Sequence, residues 1–487
     1  MAGPFDVEDL ISQLTADEKI SLLSGMNSST HATKANLRTS DGPNGIRGQR
    51  FFNGAPSHCL PCGTGLAATW DAALLRRAGA VLLGRACAAQ GAHIWLGPTV
   101  NMLRSPLGGR GFESYSEDPF LSGAMAAAVV TGVQSNVGVA ACIKHFVCND
   151  QEHERQAVDC VVSERALREI YLMPFMLAQR DVKPLCYMTS YSRLNGVHVS
   201  ENSRLMEEVL RKEWGFDGLI MSDWFGTYSA SESTNAGLDL EMPGPPRDTK
   251  LTPKVNRMRG QKLLVSLGNR KVSQHALNDR VRNLLTLANK VTPIASEGNV
   301  SEDVNDTAEA RALMRELAVA GIVLLKNKDS VLPLDKSKSG IAQHATDVKY
   351  TLGAHGYKQL PAISMMSTRE DGEPGMTCRF FNEPPSEDPG NRVCRDVVQT
   401  DLSDMLLVDY SHPEIRQDVW YMDMSGTITP AESGEYQFGC SVRGKAKVFV
   451  DGQLVVDNAT AQRQGATFMG AGTLEERGTK TLEAGRT

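Results

Sequence analysis

Asp223 and Trp224 close an apolar run, residues 215–224 (GFDGLIMSDW), and are the adjacent pair in this sequence best suited to chemistry. The run is short, carries Leu and Ile, is entered from Gly215 and ends in Ser222, as a buried parallel strand would. Asp223 is then expected at the C-terminal tip, where converging loops place reactive groups in barrels and open sheets of parallel strands. An indole offers a flat apolar face to the C–H surface of a pyranose. A buried carboxylate can attack, or electrostatically stabilise, an anomeric carbon as it becomes cationic. An aspartate at a strand end can also do no more than cap the next turn, so the pair needs company.

Other expected strand ends supply it. The turn 41–48 (DGPNGIRG) offers Asp41 and Arg47 on a glycine-rich path suited to close backbone approach. The stretch 104–119 (RSPLGGRGFESYSEDP) holds Arg110 between glycines, followed by Glu113, Glu117 and Asp118. Lys144 and His145 precede Phe146, and EHERQ spans 152–156. Each alone also reads as a loop or a satisfied structural pair. Together with Tyr191 and Asp223 they predict a concave polar ring on successive strand tips. Vicinal sugar hydroxyls both donate and accept, and charged residues bind them with charge-assisted bonds that outlast competition from water.

Such a ring requires a scaffold of alternating strands and helices, and the hydrophobic pattern provides one. Helical spacing covers 7–23, with Thr15 and Glu18 as a capping box at a break, and then 69–90, 118–133, 163–179 with Ser163 as N-cap, and 203–214. Strand-like runs lie between them at 93–96, 139–146, 185–191, 216–223 and 238–242. Alternation over more than 200 residues predicts a parallel barrel or a doubly wound sheet, with the barrel commoner at this length.

The set DGPNGIRG, RSPLGGRGFESYSEDP, KHF with EHERQ, YMTSYSRLNG, GFDGLIMSDW and AGLDLEMPGP resembles the family 3 glycoside hydrolases, in particular the fungal β-glucosidases, over nearly all of residues 5–330. The resemblance implies an α/β fold that opens with an N-terminal (β/α)8 TIM-like barrel. It implies retaining hydrolysis of terminal non-reducing β-D-glucosyl residues, with no metal or organic cofactor. Asp223 would be the nucleophile. Asp41, Arg47, Arg110, Lys144, His145, Tyr191 and Trp224 would hold the terminal glucose, with Arg155 and Met188 as secondary contacts. The family's N-acetylglucosaminidases carry Gly-His-Gly and Asp-x-His after the Lys-His, where this chain reads KHFVCNDQEHERQ, so that branch is disfavoured. A β-xylosidase stays open, because the contact to the sugar's hydroxymethyl group is not readable here.

Beyond the barrel, 291–306 is polar and linker-like, 307–320 helical, 321–327 (GIVLLKN) strand-like, and 329–340 a loop. In the resembling family these open an α/β sandwich domain, but no further buried strand follows in 341–361. From about Phe380 the pattern alternates apolar and polar, and Asp451-Gly452 between KVFV and QLVV is a two-residue hairpin signal. This segment resembles a PA14 β-sandwich. The expected organisation is a barrel at 1–295, a linker with the start of the sandwich domain at 296–340, and an incomplete PA14-like segment at 341–487. In most of the family the acid/base Glu lies in the sandwich domain, and neither Glu383 nor Glu387 is promoted to that role. Two classes follow: an active β-glucosidase, or a sugar-binding remnant that lacks the acid/base.

Composition narrows the partners. With 51 basic and 57 acidic residues among 487, the formal charge of -6 carries no basic stripe for nucleic acid. No apolar run is long enough to span a membrane. The resemblance implies a β-glucoside or oligosaccharide as the partner, with a homo-oligomer left open. The start of the sequence shows no signal-peptide pattern, which favours a cytoplasmic or non-classically secreted protein; secretion, as in many relatives, is the alternative. The ten cysteines are expected to be free thiols, and Cys59-x-x-Cys62 lacks a redox or zinc context. Sequons begin at Asn27, Asn299, Asn305 and Asn458.

Overall fold

The structure, a computed structural model, describes residues 5–25, 37–47, 52, 54–244, 257–291, 306–328, 359–386, 391–407, 410–416, 418–465 and 471–487. All but the two end residues of the linker expected at 291–306, the loop at 329–340, most of 341–361 and the sequons at Asn27, Asn299 and Asn305 lie outside the described residues. The chain divides into two compact units, Met1–Arg50 with Gly54–Leu325, and Phe51–Asn53 with Lys326–Thr487.

In the first unit five strands form a parallel sheet in the order Thr39–Ser40, Ile94–Trp95, Ala140–Phe146, Cys186–Thr189, Leu219–Ser222. Single parallel bridges extend it from Met221 to Leu240 and from Glu241 to Ser24. The strands follow one another in chain order with no reversal, which is the winding of a TIM-like barrel and not that of a doubly wound sheet. The run expected as a strand at 238–242 contributes only these bridges, and the strand expected from 216 starts at Leu219.

Side chains alternate across the sheet with the two-residue period of a strand. Ile94, Ala140, Cys142, Cys186, Met188, Leu219 and Met221 share one buried cluster with Leu240 and Met242. Trp95, Ala141, Ile143, Tyr187 and Ile220 join the other, which includes residues of the helices Pro119–Gln134 and Met173–Val182. Burial on both faces is why these strands read as continuous apolar runs, each fully buried large aliphatic side chain being worth about 1.5–3 kcal/mol.

Local sequence sets the helix starts. Thr15 closes a capping box with Glu18 between Val7–Gln13 and Ala16–Leu22, as expected. Asp71, Asp118 and Ser163 each accept a backbone N–H from the first turn they precede. The helix expected at 69–90 runs from Ala72 to Ala89 with a wider π turn over Gly79–Gly84.

The strand that leads to Asp223 is anchored from behind. The fully buried Asp239 carboxylate accepts the Ile220 N–H at 2.8 Å, Arg211 Nη2 at 2.7 Å and Asn283 Nδ2 at 2.9 Å. One side chain thus ties Leu219–Ser222 to the helices Arg204–Glu213 and Gln274–Val291. A buried carboxylate costs several kcal/mol to desolvate and is tolerated where both oxygens are bonded this fully.

The segment 321–327, expected as a strand, is not one. It follows the helix Ala308–Ala320 without regular secondary structure, with Ile322, Val323, Leu324 and Leu325 exposed. A strand exists only by pairing, and no described strand lies in register beside it. The helix itself packs into the first unit, through Ala310, Leu313 and Leu317 and the Arg77–Glu316 and Arg85–Glu309 pairs.

The second unit is antiparallel β. Met376–Phe381 pairs with both Cys394–Thr400 and Tyr421–Ser425, Gly434–Cys440 with Glu476–Leu482, and Ala446–Val450 with Gln453–Asn458. Asp451 and Gly452 form the hairpin turn with φ of 50° and 74°, the double positive φ of a type I′ turn. Asn458 is fully buried and its Nδ2 donates to the Cys440 carbonyl at 2.7 Å and Thr473 Oγ1 at 2.8 Å. In the folded unit this sequon is a structural amide.

Candidate active site

Lys144 and Asp223 reach the site by strand parity. Lys144 follows Ala140 and Cys142 on one face, and Asp223 follows Leu219 and Met221 on the same face. Both are buried. Lys144 Nζ donates to Asp41 Oδ1 at 3.1 Å, which brings the turn after Thr39–Ser40 over the sheet. Arg47 closes that turn, its N–H bonded to the Asp41 carbonyl at 2.7 Å and its guanidinium 3.9 Å from the Asp41 carboxylate. Gly45 permits the turn: its φ is 147°, and a Cβ would lie 2.2 Å from the His58 carbonyl.

Asp223 Oδ1 accepts the Trp224 N–H at 2.6 Å, while Oδ2 has no hydrogen-bond partner among the described residues. Burial pushes the Asp223 carboxyl above the usual carboxylate range, against Lys144, the Trp224 N–H, the Tyr191 hydroxyl and Arg110, which all favour ionisation. The Tyr191 hydroxyl acts from outside hydrogen-bonding geometry to Oδ2. His145 Nε2 stands 3.4 Å from Oδ2. Burial, then Arg110, Lys144 and Arg155, drive the His145 pKa well below its ordinary value, so the imidazole is neutral.

A further set of residues holds these groups in place. Glu113 binds Arg110 bidentately, at 2.9 Å to both Nε and Nη2. Burial pulls the Arg110 guanidinium down, and the Glu113 carboxylate overrides it, so Arg110 stays charged. Asn101 brackets the His145 backbone, accepting its N–H at 3.0 Å and donating to its carbonyl at 2.9 Å. Glu152 fixes Arg155 at 2.7 Å, and Arg155 lies 4.5 Å over the Tyr191 ring. Tyr228 and His198 stack at 3.7 Å, and both bond the Tyr191 carbonyl at 3.1 Å. Asp150 Oδ1 accepts the Met102 N–H at 2.9 Å, and burial pushes its carboxyl up to about 6.

The structure therefore brings Asp41, Arg47, Arg110, Lys144, His145, Arg155, Tyr191, Asp223 and Trp224 to one end of the barrel. Met188 differs: it is buried in the apolar cluster, in register with Met221 two residues before Asp223, and so lies in the floor beneath the ring. Glu113 and Glu152 were legible as carboxylates three residues from an arginine. Asn101 and Tyr228 gave no sequence signal, because they bond main-chain atoms 44 and 37 positions away, and His198 gave none because its stacking on Tyr228 arises only on folding. An open groove of about 300 Å³ lies beside the ring, lined in part by Asp41, Arg47, His58, Arg110 and Phe112. Among the described residues no group of three or more His, Cys, Asp or Glu side chains is placed to hold a metal ion.

A buried carboxylate with one unbonded oxygen, ringed by cations and hydrogen-bond donors that also suit sugar hydroxyls, is equipped for chemistry at an anomeric carbon. Comparison with known proteins agrees with that geometry. The chain is similar to the probable beta-glucosidase I of Neosartorya fischeri, with 46% identity over 99% of this chain and 60% of the relative, and to that of Aspergillus clavatus, with 45% identity over the same shares. It thus spans about 60% of the length of the curated relatives it matches. Its structure resembles that of the beta-glucosidase from Kluyveromyces marxianus in complex with glucose, with TM-score 0.85 and 38% identity, covering 99% of this chain and 62% of that one. Beta-glucosidase 3B from Thermotoga neapolitana in complex with glucose matches with TM-score 0.60 and 36% identity, over 68% of this chain and 48% of that one. A PA14 domain matches residues 372–487, within the β-rich second unit. The Glycosyl hydrolase family 3 N terminal domain matches residues 23–287, more than half of the sequence and the whole ring described above, and the chain belongs to that family.

Proposed function

We propose that this chain supplies the glucose-binding and nucleophilic part of a retaining β-glucosidase. One observation carries the reading: Asp223 is buried at a strand tip beside Lys144, His145, Arg110 and Tyr191, with Oδ2 unbonded among the described residues. The names of the relatives and the glucose bound in two structural neighbours support glucose as the sugar.

In this mechanism Asp41, Lys144, His145, Arg110 and Arg47 hold the hydroxyls of the terminal glucose, and Trp224 packs against its apolar face. Asp223 Oδ2 attacks the anomeric carbon as the bond to the aglycone oxygen breaks, that oxygen taking its proton from a second carboxyl group. Water then hydrolyses the glucosyl–Asp223 ester with net retention. Retention requires a second carboxyl group about 5–5.5 Å from the first. Asp41, Glu113, Asp150 and Glu152 are each bonded to a cation or a backbone N–H, so we assign the acid/base role to none of them.

A dinitrophenyl 2-deoxy-2-fluoro-β-glucoside tests the reading, because its leaving group needs no protonation and its fluorine slows release of the ester. Mass spectrometry should find one fluoroglucosyl group on the peptide holding Asp223. Labelling at another carboxylate, or none in a folded chain, would refute it.

A further inference from the structure

We propose that Trp95 is a positioning residue for the sugar-binding carboxylate Asp41, acting through the Gly42 carbonyl. The inference rests on the β-glucosidase reading and adds to it a residue outside the polar ring.

Trp95 ends the strand Ile94–Trp95 and is the parallel partner of Ser40, the residue before Asp41. Its indole is turned into the helix-side core, where it is 1% exposed. From there Nε1 donates to the Gly42 carbonyl at 2.9 Å. The indole fits because residue 97 has no side chain: a Cβ on Gly97 would lie 2.5 Å from Trp95 Cζ2. A buried Trp N–H needs an acceptor, and here the acceptor is the carbonyl of the residue directly after Asp41.

Asp41 needs such a hold. Its carboxylate is 47% exposed, with Lys144 Nζ at 3.1 Å and Arg47 more distant at 3.9 Å. The turn beneath it is closed by short local bonds: Gly42 N–H to the Gly45 carbonyl at 2.7 Å, Gly45 N–H back to Gly42 at 3.1 Å, and Arg47 N–H to Asp41 at 2.7 Å. These bonds fix the shape of the turn; its place is set by bonds to other segments, from Lys144 to the Asp41 carboxylate, from the Leu60 N–H to the Asn44 carbonyl at 2.7 Å, and from Trp95 to the Gly42 carbonyl. Of these, the Trp95 bond ties the residue next to Asp41 to the neighbouring strand. A carboxylate that accepts hydroxyls in fixed directions loses affinity when its backbone drifts by a fraction of an ångström.

Trp95→Phe removes the N–H and keeps an aromatic ring. Binding of 1-deoxynojirimycin to the full chain, measured by calorimetry, should weaken about tenfold, with a larger loss in Asp41→Ala. If Trp95 acts through Asp41, the double variant binds no more weakly than Asp41→Ala alone. Benzothienylalanine at position 95 keeps the bicyclic volume and lacks only the N–H; it should reproduce the Phe result, which separates the bond from packing. Wild-type affinity in both position-95 variants, or a full additive loss on the Asp41→Ala background, would overturn the proposal while leaving the glucosidase reading intact. Equal binding by wild type and Asp41→Ala, or none by wild type, would bring down that reading and this proposal with it.

Discussion

His145 stands between two acceptors, with Asn101 Oδ1 3.3 Å from Nδ1 and Asp223 Oδ2 3.4 Å from Nε2. A neutral imidazole carries one proton and can serve only one of them. Burial and three neighbouring cations keep the ring neutral. With the proton on Nδ1, the Nε2 lone pair faces the carboxylate oxygen that has no hydrogen-bond partner among the described residues.

Asp223→Asn should therefore stabilise the barrel while abolishing trapping of the fluorosugar. The amide keeps the Trp224 N–H bond on Oδ1 and can donate from Nδ2 to His145. The expected gain is about 1–3 kcal/mol at neutral pH. Because burial raises the Asp223 pKa, the folded state binds that proton more tightly than the unfolded state does, and wild-type stability falls as pH rises through that pKa. The variant has no such titration, so its advantage should grow from pH 4 to pH 7.5 in denaturant melts. A less stable variant at pH 7.5 would contradict this arrangement.

Asp41→Ala should weaken binding of glucose or an iminosugar by several kcal/mol, on the order of 2–4. Hydroxyls lose a charged acceptor, and the buried Lys144 loses its hydrogen-bonded carboxylate. Calorimetry on both proteins measures it, and equal affinities would remove Asp41 from the site.

Asp150 gives a separate pH signature. Its pKa of about 6 lies above the ordinary 3.8, so the stability its protonated form contributes is present below the lower value and lost as pH rises through about 6. Asp150→Asn retains an acceptor for the Met102 N–H and does not ionise. It should be more stable than wild type by about 1–2 kcal/mol at pH 7.5 and equal to it near pH 4. A pH-independent difference would show that burial of this carboxyl is not its origin.

Leaving-group dependence tests the chemistry of the chain by itself. The four rim carboxylates are already engaged, so a dinitrophenyl β-glucoside should give a burst of phenol followed by slow turnover. Azide should accelerate the second phase and yield the β-glucosyl azide. Rapid hydrolysis of cellobiose by the purified 487-residue chain would show that one of these carboxylates, or another within the chain, serves as the acid/base.

The second unit shows how local signals alone can suffice. Asp451-Gly452 predicted its hairpin because a type I′ turn needs two positive φ angles, a demand met within two residues. GIVLLKN at 321–327 carried an equally clear apolar run and formed no strand, because a strand also needs a neighbour that its own residues do not encode.

For the site, the sequence by itself determined which groups could act. The apolar period of 219–222 put Asp223 at a strand tip, Thr15 and Ser163 set helix starts, and the motif set brought Asp41, Arg110, Lys144 and His145 into one ring. Only the tertiary structure decided how these groups are held and what state they are in. The direction of the Asp223 shift depends on burial outweighing four favourable neighbours, and the neutrality of His145 on burial together with the cations Arg110, Lys144 and Arg155. Met188 moved to the floor through its register with Met221, and Trp95 gained a role through a carbonyl 53 positions earlier in the chain. Periodicity and caps are short-range and can be read along the chain, whereas desolvation, register and bonds to distant main-chain atoms exist only once the segments have packed.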